Sequence, residues 1–229
     1  MKTWKVDDVM TKAVVSVQPA ASYRSLVDLL IARRFSAVPV ADESQHVLGV
    51  VSEADLLRKI EYAGTNEPRL FESRRRRGAR AKATAATAAE LMSSPPVAAL
   101  TGTTIAAAAR LMDTEQVKHL PVVDDLGRLI GIVSRGDLLK VHLRPDDEIE
   151  QDVTAGVRTP FMADAGKQIG VAVAGGVVTL SGRVDRWTTA DLAVRLTRQV
   201  AGVVEVTDEL GFDFDDRHTV SPGLVYGVA

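Results

Sequence analysis

Two serines, each followed three residues later by an aspartate, occupy matching places in this chain: Ser52 with Asp55, and Ser134 with Asp137. Each pair ends a run of apolar residues around a glycine, Leu48-Gly49-Val50-Val51 and Ile130-Gly131-Ile132-Val133, and opens a run spaced for a helix. A strand that ends at a serine and turns into a helix offers a capping hydroxyl and unpaired N–H groups able to receive an anion. A carboxylate in the first turn suits the helix dipole, and it is also the group that accepts the two hydroxyls of a ribose. Ser-x-x-Asp therefore has two readings. It is a capping box that only starts a helix, or it is part of a nucleotide-sized site. Recurrence in matched surroundings favours the second.

Little else in the chain suggests catalysis. There is no cysteine, which excludes disulfides, thiol catalysis and cysteine-bound metal. His46, His119, His142 and His218 lack the spacing of a helical metal site, so no metal centre is expected. Neither a G-x-S-x-G elbow, a Walker loop nor a dinucleotide fingerprint is present. The expectation is a protein that is not an enzyme. A net charge of -2 gives no global attraction to nucleic acid or anionic membrane, so such a role needs a local cluster.

The elements that position the two pairs form an internal repeat. An offset of 82 carries Met10 to Met92, Pro39 to Pro121, Gly49 to Gly131, Ser52 to Ser134 and Asp55 to Asp137 without a gap. Each copy reads as a strand (Val14 to Val17; Val97 to Leu100), a helix, a strand (Ala37 to Ala41; Leu120 to Val123) opened by Pro39 or Pro121, a second strand and a helix, a β-α-β-β-α unit. Ser22 is the expected cap of the first helix; the counterpart from Ile105 to Met112 is rich in alanine. A unit of about 50 residues is marginal alone, so the two are expected to pack as one domain.

These residues resemble a tandem pair of CBS (cystathionine beta-synthase) motifs. The likeness rests on Met10-Thr11, Ser36-Ala37-Val38-Pro39-Val40 and Gly49-Val50-Val51-Ser52-x-x-Asp55. Met92-Ser93, Lys118-His119-Leu120-Pro121-Val122 and Gly131-Ile132-Val133-Ser134-x-x-Asp137 match them in the second copy. The resemblance implies a pseudo-twofold module, commonly dimerised as discs, with two clefts for adenosine-containing ligands: AMP, ADP or ATP, the last with Mg. It also implies that each aspartate works with the early strand and pre-proline segment of the other copy. One cleft would combine Val15, Phe35 and Ser36 with Ser134 and Asp137; the other would combine Ser52 and Asp55 with Val97, Val117, Lys118 and His119. Phe35 is suited to flank a base or to end a helix in the core. Lys118 and His119 equip the second cleft for phosphate.

The expected boundaries are residues 5–60 and 89–143 for the repeats, with a basic, alanine-rich connection at 61–88. That connection carries Arg69, Arg74, Arg75, Arg76, Arg77, Arg80 and Lys82. It reads as a solvated linker, with contact to phosphates as the alternative. Beyond Pro145 the pattern changes. A helix from 147 to 162, a hairpin turning at Gly175-Gly176, a helix from Trp187 to Val200 and a strand from Gly202 to Leu210 give α-β-β-α-β. Gly176-Val177-Val178-Thr179-Leu180-Ser181-Gly182-x-Val184 and Val200-Ala201-Gly202-Val203-x-x-Val206 resemble a BON (bacterial OsmY and nodulation) domain over 147–212. For that family phospholipid association has been proposed. Residues 213–229 are expected to be a loose tail.

The whole is expected to be an α/β (α+β) regulatory or sensor protein that conveys nucleotide occupancy to the BON-like domain or a partner. The alternative is a dimeric adaptor that binds anionic lipid or nucleic acid through the BON-like domain and the arginines. Met1 to Asp8 lack a signal peptide's apolar run, and no run of about 18 apolar residues follows, so a cytoplasmic location is expected.

Overall fold

The structure, a computed structural model, describes residues 3–62, 82–157 and 169–217. It divides into two compact units, Lys5–Leu138 and Leu139–Ala229, the second including Met1–Trp4.

In the first unit, α1 (Val6–Val9) precedes α2 (Tyr23–Arg33), β1 (Ala37–Ala41), β2 (Val47–Ser52) and α3 (Glu53–Glu61). Ser22 caps α2, its hydroxyl accepting from the Ser25 N–H at 3.2 Å. The second repeat gives α4 (Ala88–Leu91), β3 (Ala99–Leu100), α5 (Ile105–Thr114), β4 (His119–Val123), β5 (Leu129–Ser134) and α6 (Arg135–Leu139). Thr104 caps α5 as Ser22 caps α2. β1 pairs antiparallel with β2, and β4 with β5, in registers related by the repeat offset: Val38 faces Val51 and Leu120 faces Val133. Pro39 and Pro121 are the third residues of their strands rather than the first. The first strand of each copy is shorter than the sequence suggests. Copy one keeps only a parallel bridge between Val17 and Val40, and copy two begins at Ala99.

The repeats are held together by exchanged arms. Opposite each proline, the peptide groups of Val50 and Ile132 point to the outer edge of the hairpin, as expected at a non-hydrogen-bonded antiparallel position. There Thr11 of the first copy exchanges two bonds of 3.0 Å with Ile132 of the second. Ser93 of the second copy does the same with Val50 of the first, at 2.9 and 3.3 Å. Further bridges, Lys5 with Thr104 and Ser22 with Thr87, obey the same exchange. Ala88 and Leu91 of the second repeat, with Ala85 just before it, are buried in the core of the first, among Leu26, Leu30, Val38, Val40, Val51 and Leu56. Gly49 and Gly131 are the seats for this packing: a Cβ on Gly49 would lie 2.7 Å from Met92 Sδ and 2.8 Å from the Ser93 carbonyl oxygen, and one on Gly131 would overlap Met10 Sδ.

The second unit contains a 3-10 turn (Lys140–Leu143), α7 (Asp146–Val157), β6 (Ile169–Ala174), β7 (Val177–Arg186), α8 (Trp187–Arg198) and β8 (Glu205–Phe214). β6 and β7 form the expected hairpin, β8 adds to β7 in parallel, and α7 and α8 pack on one face. The core joins Ile149, Val153 and Val157 of α7 with Val178, Leu180 and Val184 of β7 and Ala193 of α8. Asp146 closes the hairpin, accepting from the N–H groups of Gly175 and Gly176 at 2.7 and 2.9 Å. Several boundaries differ from the sequence reading: α8 ends at Arg198 rather than Val200, and β8 starts at Glu205 rather than Gly202. α7 begins at Asp146 and is described to Val157. β8 continues to Phe214, into what reads as a loose tail, because Asp216 returns to α8, where its carboxylate is buried and accepts from the N–H and hydroxyl of Thr188. Among the described residues, no helix is long and apolar enough to cross a membrane.

Candidate functional site

The site begins at the start of α3. Ser52 is the last residue of β2, in extended backbone (ψ 164), and the chain turns helical at Glu53. Asp55 Oδ2 accepts from the Ser52 N–H at 2.8 Å and from the Ser52 hydroxyl at 2.7 Å. The second copy repeats the geometry: Asp137 Oδ2 accepts from Ser134 N–H at 2.9 Å and from its hydroxyl at 2.7 Å. The capping reading is thus realised in both copies. It does not exclude the other, since one carboxylate oxygen performs the cap.

Ser52, Asp55, Val97, Val117, Lys118 and His119 all line a single cleft of about 300 Å³, at the lower end of the range for small-molecule pockets. Val15, Phe35, Ser36, Ser134 and Asp137 line a second, tighter cleft of about 180 Å³. Each cleft takes walls from both repeats, which follows from the crossing of the arms. One detail departs from the sequence reading, which assigned Ser36 to one cleft and His119 to the other. Both residues line both clefts, joined by a 2.9 Å hydrogen bond between Ser36 Oγ and His119 Nε2. Arg74, Arg75, Arg76 and Arg77 lie outside the described residues.

Burial holds the His119 imidazole below its ordinary pKa of 6.5; Lys118 acts in the same direction, while Asp137 and Glu53 oppose both. A neutral imidazole is therefore the folded form at neutral pH. Because the folded value is depressed, this stabilisation is complete above the unfolded pKa and is lost as pH falls through the folded one. The wild-type Tm is expected to drop more between pH 7 and pH 5.5 than that of His119→Gln. Parallel Tm curves for the two proteins would count against it.

One partner of the larger cleft's Asp55 was not legible in advance. Lys82 reads as part of the basic linker, yet its ammonium lies 2.5 Å from Asp55 Oδ1 and 3.1 Å from Ser93 Oγ. The matches at the offset of 82 begin at Met92, ten residues beyond Lys82. The repeat therefore carried no signal for it.

The CBS domain model matches residues 6–62 and 88–144, and the BON domain model matches 145–212. The chain is 30% identical over 159 residues to the CBS domain-containing protein CBSX2, chloroplastic, of Arabidopsis thaliana, covering 64% of this chain and 67% of that protein. To CBSX1 of the same plant it is 28% identical over 153 residues, covering 62% and 65%. The chain thus spans about two thirds of the length of these relatives. A solved structure of CBSX2 in complex with AMP superposes with a TM-score of 0.54 at 30% identity, covering 61% of this chain and 97% of that one. With its exchanged arms and matched clefts, followed by a sheet covered by two helices, the chain belongs to the CBS-domain proteins as a tandem CBS pair joined to a BON domain.

Proposed function

We propose that the CBS pair is a regulatory module that binds an adenine nucleotide, AMP, ADP or ATP, chiefly in the larger cleft. The observation that carries this reading is the gathering in one cavity of a carboxylate at the start of α3, the apolar Val97 and Val117, and the cationic or polar Lys118 and His119. The carboxylate suits ribose hydroxyls, the valines suit the faces of a base, and Lys118 suits phosphate. The solved complex of CBSX2 with AMP supports the same assignment. Ser52 and Asp55 come from one repeat and Val97, Val117 and Lys118 from the other, so a bound nucleotide favours the arrangement in which the repeats close on it. In the smaller cleft, Asp137 stands two residues before Leu139, where the second unit begins, which gives occupancy a covalent route toward the BON domain or a partner. Exposed Ile31, Leu57 and Ile60 suit contact with a second copy of the chain.

The reading that makes the BON domain a binder of anionic lipid gains nothing from its open sheet face. There Arg183 is outnumbered by Asp185, Glu205, Glu209 and Asp213 among the described residues, and Asp213 already pairs with the arginine. Calorimetric titration of the full chain with AMP, ADP and ATP tests the nucleotide reading. Saturable binding of at least one is expected; heat indistinguishable from dilution for all three removes the reading.

A further inference from the structure

The ammonium of Lys82 already occupies a place that a nucleotide would contest. Asp55 uses Oδ2 to cap α3 and presents Oδ1 to Lys82 at 2.5 Å, with both side chains largely buried. The same ammonium donates to Ser93 Oγ at 3.1 Å, and Asp55 and Ser93 both line the larger cleft. A ligand whose hydroxyls take Asp55 Oδ1 must therefore separate a close, half-dry ion pair. That is unfavourable when the released ammonium finds no new anion. A phosphate removes the penalty, because a lysine head on a flexible stem can turn from one acceptor to another without moving the backbone.

We propose that Lys82 is the residue that makes the larger cleft select phosphorylated over unphosphorylated nucleosides, by guarding Asp55 in the empty cleft and pairing with phosphate in the filled one. The proposal rests on the nucleotide reading of this cleft. It also assigns the end of the connection between the repeats a part in the site.

The test is the ratio of affinities for AMP and adenosine, measured by calorimetry on the full chain for wild type, Lys82→Met and Lys82→Arg. Wild type is expected to prefer AMP. In Lys82→Met, AMP binding weakens about tenfold while adenosine binding strengthens several-fold, because the carboxylate is no longer contested; these are the sizes expected for one charged hydrogen bond. Lys82→Arg keeps most of the preference. A lysine that only tied the chain to the fold would shift both ligands together, so an unchanged ratio in Lys82→Met overturns the proposal and leaves the nucleotide reading standing. If wild type binds neither AMP nor adenosine, both fall. Thermal unfolding of each variant in the absence of ligand separates lost folding from lost selectivity.

Discussion

Asp55→Ala is expected to bind AMP at least tenfold more weakly than wild type and to unfold more readily. The two effects have separate origins in one side chain. Oδ2 closes the cap with the Ser52 N–H and hydroxyl, and loss of such a cap costs about 1 kcal/mol. Oδ1 is the acceptor offered to the cleft, and a hydrogen bond to a charged group contributes about 1.5–3 kcal/mol, or about a factor of ten or more in affinity. Asp55→Asn separates the two: its amide oxygen can still accept in the cap, but the charge that holds Lys82 is gone. The asparagine variant should recover most of the lost Tm and little of the lost affinity. Asp137→Ala should lower AMP affinity less, because its cleft is the smaller. Calorimetry paired with thermal melts reads all three, and wild-type affinity in Asp55→Ala would remove Asp55 from the site.

Gly49→Ala is expected to destabilise the CBS pair by about 1–3 kcal/mol, the range for overpacking a filled interior. The added methyl would lie 2.8 Å from a backbone atom, the Ser93 carbonyl oxygen, as well as 2.7 Å from Met92 Sδ. That carbonyl is also the acceptor for Val50 N–H, so the arm cannot retreat without breaking its bridge. For the matching change, Gly131→Ala, the three atoms nearest the added methyl all belong to the Met10 side chain, which is flexible. The two sites should therefore respond differently to a second substitution. Met10→Ala should rescue Gly131→Ala substantially, whereas Met92→Ala should rescue Gly49→Ala only in part. Urea unfolding of both double-mutant cycles measures this; equal rescue at the two sites would show that the carbonyl contact is unimportant.

Much of this architecture was legible because the information is local and occurs twice. The cap at Ser22, the strand-to-helix turns at Ser52 and Ser134, and the hairpin at Gly175-Gly176 each depend on a few neighbouring residues. The eleven residues that the CBS resemblance assigned to the two clefts do line two cavities. What escaped the sequence depends on long-range approach. Lys82 meets Asp55 across the end of the connection between the repeats. Ser36 and His119 join the clefts because they lie where the halves meet, which periodicity does not encode. β8 outran the expected end at Leu210 because β7 is long enough to pair with Phe212 and Phe214, and Asp216 anchors the chain beyond them to Thr188.

The crossing of the arms also governs how the protein is made. Thr11 waits for Ile132, and Val6 for the carbonyl of Thr103, partners translated roughly a hundred residues later. The first repeat in turn lacks Ala88 and Leu91 until the second has begun to emerge. On the ribosome, then, neither half can close its interior alone, and the nascent chain gains its native fold only after the second repeat leaves the exit tunnel. A stop codon between the repeats would yield no smaller working protein, only an exposed half-core for proteases to find.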